Sequence, residues 1–181
     1  FSNLFIEIWK QGIGGAGLGH SHPALVSALR EQAGKLWHCS NLFKIKGQEN
    51  VAKKIVDHSF ASNVFFCNSG AEAVEAGIKA IRRFFYKKNK KKNKIICVDN
   101  AFHGRTLGAI SAGGQKKLLE GFSPKLEGFV HVEFNNLDAI ERKIDDETAA
   151  IMIETVQGEG GVIPAKKDYL AGLKTIAKKN I

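Results

Sequence analysis

Val64-Phe65-Phe66-Cys67-Asn68-Ser69-Gly70-Ala71-Glu72-Ala73 decides how the rest of the chain is read. Its first four residues are an apolar run of strand length, which predicts a buried strand. Beyond the turn, Ala73, Val74, Gly77, Ile78 and Ile81 recur at helical spacing. The stretch thus predicts a strand, a tight Ser-Gly turn and a helix that begins near Gly70. A joint of this kind leaves backbone N–H groups at the positive end of a helix, which suits a phosphate. Glycine lets an anion come close to the backbone. Taken alone, the turn reads first as a plain helix cap.

Outward from this joint, strands alternate with helices. On the N-terminal side, helical periodicity covers 24–36, opened by Pro23, and 48–60. On the C-terminal side the first helix runs to about Tyr86, followed by strands at 94–98, 129–132 and 149–153. Helices are expected at 136–144 and 169–180. This alternation predicts an α/β domain with a mostly parallel sheet. In such sheets ligands sit at the carboxyl ends of the strands. The loops that carry Ser69, Phe102 and Glu154 all follow strand ends, so they are expected to face one crevice.

Bulk properties narrow the class. A chain of 181 residues, 44% hydrophobic and 25% charged, has the composition of a soluble globular protein with a real core. No apolar run approaches the ~18 residues of a membrane span. The first residues lack the charged-then-apolar order of a signal peptide, and the absence of an initiator Met suggests a start within a longer protein. Cys39, Cys67 and Cys97 are far apart in sequence and read as reduced thiols of a cytoplasmic protein. Six of the nine net positive charges come from Lys87, Lys88, Lys90, Lys91, Lys92 and Lys94. That run has no arginine and no aromatic between its lysines and lies between a helix and a strand. It reads as a solvated loop, not a nucleic-acid patch.

Several loops carry chemistry. Residues 12–19 are glycine-rich, but no strand precedes them and His20-Ser21-His22-Pro23 follows where a dinucleotide fingerprint needs a helix. His20 and His22 lack a neighbouring carboxylate or thiol, so a structural turn is expected and no metal. The segment from Trp37 to Phe43 either lines a pocket or packs on the core. After the 94–98 strand, Phe102 can stack on a planar ligand and Arg105 can grip a carboxylate in bidentate fashion. His103 is an acid–base group or a hydrogen-bonding prop. A phosphate cradle, an aromatic face, a carboxylate grip and the acid Glu154 suit a planar phosphorylated cofactor beside an amino acid. Pyridoxal phosphate fits that description.

Four motifs then agree in order. Residues 18–23 (LGHSHP), 68–73 (NSGAEA), 101–106 (AFHGRT) and 154–161 (ETVQGEGG) resemble successive motifs of the class III pyridoxal-phosphate aminotransferases. Residues 36–43 (LWHCSNLF) and 111–115 (SAGGQ) are most similar to the acetylornithine aminotransferase branch. The resemblance covers nearly the whole chain from Gly12 onward. It implies a fold type I transferase, with 1–45 an N-terminal segment and 46–181 the first part of the large cofactor domain. It implies that Ser69, Gly70 and Ala71 hold the cofactor phosphate, Phe102 stacks on the ring and Glu154 lies near the cofactor. Arg105 would bind the substrate α-carboxylate, and Glu159 would pair with a later arginine that selects substrates. It further implies transfer of an amino group from N-acetylornithine to 2-oxoglutarate in arginine biosynthesis by a cytoplasmic homodimer. Ornithine, 4-aminobutyrate or succinyl-diaminopimelate are the alternative donors, and a non-catalytic cofactor-binding fragment is the alternative class. The family's Asp-Glu-Val-Gln motif and its cofactor-bearing lysine have no counterpart in this sequence, so the chain alone is expected to be inactive. Gly15-Ala16 and Glu154-Thr155 depart from the family's usual residues at those places.

Overall fold

Strand β1 (Lys94–Val98) is the middle of a three-stranded parallel sheet, with β2 (Phe129–Val132) on one side and β3 (Thr148–Ile151) on the other. The computed structural model describes residues 17–181, so residues 12–16 of the glycine-rich stretch at 12–19 lie outside the described residues. Ile95 pairs with Phe129 and with Ala150, and the register to β3 shifts between Lys94 and Ile95. Every side chain of β1 from Ile95 to Val98 is fully buried, as expected of a central parallel strand covered on both faces.

Alternation along β1 divides the core in two. Ile95 and Cys97 point to one layer, where Val74 and Ile78 of α3 (Gly70–Lys87) meet Ala109 and Ala112 of α4 (Leu107–Ala112). Ile96 and Val98 point to the other layer, against Ile140 of α6 (Leu137–Glu141) and Tyr169, Leu173 and Ile176 of α7 (Lys167–Asn180). A short helix, α5 (Lys116–Leu119), follows α4. The hairpin β4 (Val156–Gln157) and β5 (Ile163–Pro164) leads from β3 into α7. Burial of each of these Val and Ile side chains contributes about 1.5–3 kcal/mol.

Two helices precede this body, α1 (Pro23–Ala33) and α2 (Lys46–Asp57). The described residues divide into two compact units, 17–66 and 67–181.

The strand positions at 94–98 and 129–132 agree with those read from the sequence. One expectation fails. Residues 64–67 form no strand, Phe65 is 78% exposed, and Cys67 is exposed where a buried strand had been expected. A strand exists through its ladder. Both edges of β1 are taken, and no described strand pairs with 64–67. β3 ends at Ile151 where 149–153 had been expected, and α4, α5 and the β4–β5 hairpin were not expected from the sequence. The remaining differences lie at helix ends. α1 stops at Ala33 because Gly34 follows and the Trp37 indole N–H donates to the Ala33 carbonyl at 2.7 Å. α2 spans 46–57 where 48–60 had been expected, and His58 Nδ1 sits 2.9 Å from the Lys54 carbonyl at its end.

Candidate functional site

The helix α3 opens with its own side chains bound. Ser69 Oγ accepts from the Glu72 N–H at 3.1 Å, and the Glu72 carboxylate accepts from the Asn68 N–H at 2.6 Å. Ser69 thus caps the helix, and Glu72, three residues on, ties down the backbone one residue before the cap, a capping box displaced by one residue. The Ala73 N–H is the first to find a helix carbonyl, that of Ser69, at 3.0 Å. The helix supplies no acceptor to the N–H groups of Gly70 and Ala71. They lie at the positive end of an 18-residue helix.

The loop after β1 is brought to this helix end by close packing. Gly104 has φ +124°, and a Cβ there would lie 2.9 Å from the Ala71 Cβ. Only glycine allows both that backbone conformation and that approach. Just beyond it, Thr106 caps α4, its hydroxyl accepting from the Ala109 N–H at 3.2 Å and donating to Glu75 of α3 at 2.5 Å. The loop is held from the β3 side as well. The Glu154 carboxylate accepts the Phe102 N–H at 3.0 Å, and the Gln157 side-chain amide donates to the Asp99 carbonyl at 2.7 Å. Within the loop, the Arg105 guanidinium sits 5.6 Å from the centre of the Phe102 ring, at cation–π distance. Arg105 is exposed, Phe102 half-buried and His103 buried.

The residues singled out from sequence therefore fall into one connected group and one outlier. Ser69, Gly70 and Ala71 meet the 102–105 loop through Gly104, and Glu154 joins that loop through Phe102. Glu159 is exposed in the β4–β5 turn and makes no hydrogen bond or ion pair with a described residue. Three contributors escaped the sequence reading: Glu75, Thr106 and Gln157. Thr106 carries a readable signal, a hydroxyl residue directly before an apolar helical stretch. Glu75 and Gln157 carry none, because their partners lie 31 and 58 residues away. His22, weighed for metal binding, caps α1, its Nδ1 accepting from the Ala24 N–H at 3.3 Å.

The profile of the family "Aminotransferase class-III" matches residues 9–181. The chain is similar to acetylornithine aminotransferase of Mesorhizobium japonicum, 53% identical over 170 residues, covering 93% of this chain and 43% of that protein. It is also similar to the succinylornithine transaminase/acetylornithine aminotransferase of Pseudomonas aeruginosa, 47% identical over 93% of this chain and 42% of that protein. Among solved structures, ornithine aminotransferase of Toxoplasma gondii ME49 superposes with a TM-score of 0.86 at 28% identity, covering 93% of this chain and 41% of that one. A second crystal structure of ornithine aminotransferase from Toxoplasma gondii, with pyridoxal phosphate at partial occupancy in its active site, gives the same TM-score and coverage. The chain spans less than half the length of the relatives it matches. The chain belongs to the class-III aminotransferases, a family of pyridoxal-phosphate enzymes.

Proposed function

We propose that this chain carries the phosphate-binding and carboxylate-binding part of an acetylornithine-type aminotransferase. One observation carries the reading. The α3 N-terminus, the Phe102–Arg105 loop and Glu154 converge through the Gly104–Ala71 contact and the Phe102–Glu154 hydrogen bond. These residues fit pyridoxal phosphate, because a helix end with two available N–H groups adjoins a loop that bears an aromatic ring and a guanidinium. The N–H groups of Gly70 and Ala71 bind the phosphate, with Ser69 fixing the turn. Phe102 covers one face of the ring. Glu154 holds the Phe102 backbone and so sets where that ring lies. Arg105 binds the substrate α-carboxylate, with Phe102 supporting its guanidinium. Glu159, exposed on its turn, pairs with an arginine outside this chain and helps select substrates. Bound pyridoxal phosphate supplies the electron sink for amino transfer.

N-acetylornithine is the proposed donor and 2-oxoglutarate the acceptor, in a cytoplasmic homodimer. The donor rests on the names of the relatives in Mesorhizobium japonicum and Pseudomonas aeruginosa. The latter name also favours a second reading, with succinylornithine as donor. No helix among the described residues is long and apolar enough to cross a membrane. No lysine of this chain is assigned the cofactor-bearing role, so residues 1–181 alone bind cofactor without turnover.

The test is a panel of donors on the protein at its relatives' length: N-acetylornithine, succinylornithine, ornithine, 4-aminobutyrate and succinyl-diaminopimelate, each with 2-oxoglutarate. N-acetylornithine is expected to give the highest kcat/KM. Arg105→Gln is expected to lower that value by about 100-fold, the size of a lost charge-assisted bidentate contact. A higher kcat/KM with another donor would overturn the donor assignment.

A further inference from the structure

Arg105 stands between two attachments to one helix. Its neighbour Gly104 packs on Ala71, in the first turn of α3. Its other neighbour, Thr106, donates its hydroxyl hydrogen to Glu75 Oε1, one turn further along the same helix. The same hydroxyl accepts from the Ala109 N–H and so starts α4. The Glu75 carboxylate lies against Gly108, where a Cβ would come within 2.4 Å of Oε1 and 2.7 Å of Oε2. Glycine at 108 thus leaves the space that the carboxylate fills. The cap of α4 and the face of α3 share one carboxylate.

We propose that Glu75 is a positioning residue for Arg105. Through Thr106 it clamps the backbone of the arginine to the helix whose N-terminus faces the cofactor phosphate. The span from phosphate cup to carboxylate grip is then a property of one rigid helix, read at Ala71 and at Glu75. Neither Glu75 nor Thr106 contacts substrate in this scheme. Glu75 acts by accepting a hydrogen bond, so Gln can replace it. Thr106 acts through its hydroxyl, so Ser can replace it. The inference rests on the reading of Arg105 as the carboxylate anchor.

The test uses the pyridoxal-phosphate-loaded protein at its relatives' length. Three quantities are measured: the affinity for glutarate by calorimetry, the affinity for pyridoxal phosphate, and KM and kcat for the amino donor. Glu75→Ala and Thr106→Val are each expected to weaken glutarate binding and raise KM by about tenfold, a misplacement effect. Cofactor affinity and kcat should stay within about twofold. Glu75→Gln and Thr106→Ser should restore wild-type glutarate binding. Gly108→Ala is the second route. It improves helix propensity yet displaces the carboxylate, and should reproduce the KM effect without loss of thermal stability. Arg105→Gln is the reference. If it weakens glutarate binding while Glu75→Ala, Thr106→Val and Gly108→Ala do not, the clamp is wrong and the reading of Arg105 stands. If Arg105→Gln leaves glutarate binding unchanged, that reading fails and the clamp with it. If Glu75→Ala weakens cofactor and glutarate alike, Glu75 only supports the fold and the proposal is overturned.

Discussion

The two units of this chain are built from the same sequence pattern and use it differently. In 67–181, helices α3 and α7 turn their apolar stripes onto the sheet, burying Val74, Ile78 and Phe85 from the first and Tyr169, Leu173 and Ile176 from the second. In 17–66, α1 and α2 have comparable stripes and bury no residue. Leu29 is 71% exposed and Trp37 82% exposed, while Ile95 and Ile96 are at zero. Periodicity states which face of a helix is apolar. It does not state what covers that face. Only where a strand at the right distance offers a second apolar surface does the pattern become a core.

The contrast can be broken first in the sheet. Ile96→Ala deletes three heavy atoms from a fully buried site on the central strand and should cost about 2–5 kcal/mol in urea unfolding. The matching change in the other unit, Leu29→Ala, should stay within about 0.5 kcal/mol. Comparable losses for both would contradict the contrast.

A smaller effect tests whether the α3 turn is a helix end held by its cap. Ser69→Ala removes the acceptor for the Glu72 N–H and should cost about 1 kcal/mol. No loss of stability would mean that Glu72 alone secures the turn. Smaller still, and opposite in sign, is Tyr169→Phe. The Tyr169 hydroxyl is buried with no partner among the described residues, and burial pushes its ionisation up to about 12. Removing it should leave stability unchanged or raise it by up to about 1 kcal/mol at neutral pH. A phenol that ionises at about 12 in the fold and about 10 when unfolded costs stability as pH rises through that window. The Tyr169 contribution is therefore steady below about pH 10 and falls toward pH 12, and Tyr169→Phe should abolish that part of the alkaline decline, leaving the part set by the buried Cys97 thiol. A decline of the same size in the variant would assign it to other groups.

What could be read from sequence tracks how local each interaction is. Strands β1 and β2 were legible because the apolar run 95–98 and the short stretch 129–132, apolar but for His131, need no distant information. The run at 64–67 is equally apolar, yet a strand requires a neighbour, and no local pattern supplies one. Helix α4 was missed because six residues of Leu, Gly, Ala, Ile and Ser span under two turns and show no period. The site divides the same way. Phe102, Arg105 and Glu154 announce themselves by residue type beside strand ends, and Ser69 as a hydroxyl residue that opens an apolar helical stretch. Glu75 and Gln157 act on carbonyls and hydroxyls far along the chain, and only the fold brings them there.

The central claim is that the N–H groups opening α3 bind the cofactor phosphate. Gly70→Pro tests it most directly. Proline is tolerated at the first helical position, and Ser69, at φ −151° and ψ 162°, already has the extended backbone that a residue before proline prefers. The variant keeps the helix and deletes one donor. The measurement is the affinity of the protein at its relatives' length for pyridoxal phosphate and for unphosphorylated pyridoxal, with circular dichroism as the check on helix content. The account predicts that the wild type prefers the phosphorylated form, and that Gly70→Pro lowers that preference by about tenfold with helix content unchanged, the effect of one charge-assisted hydrogen bond. An undiminished preference in a variant of unchanged helix content would contradict it.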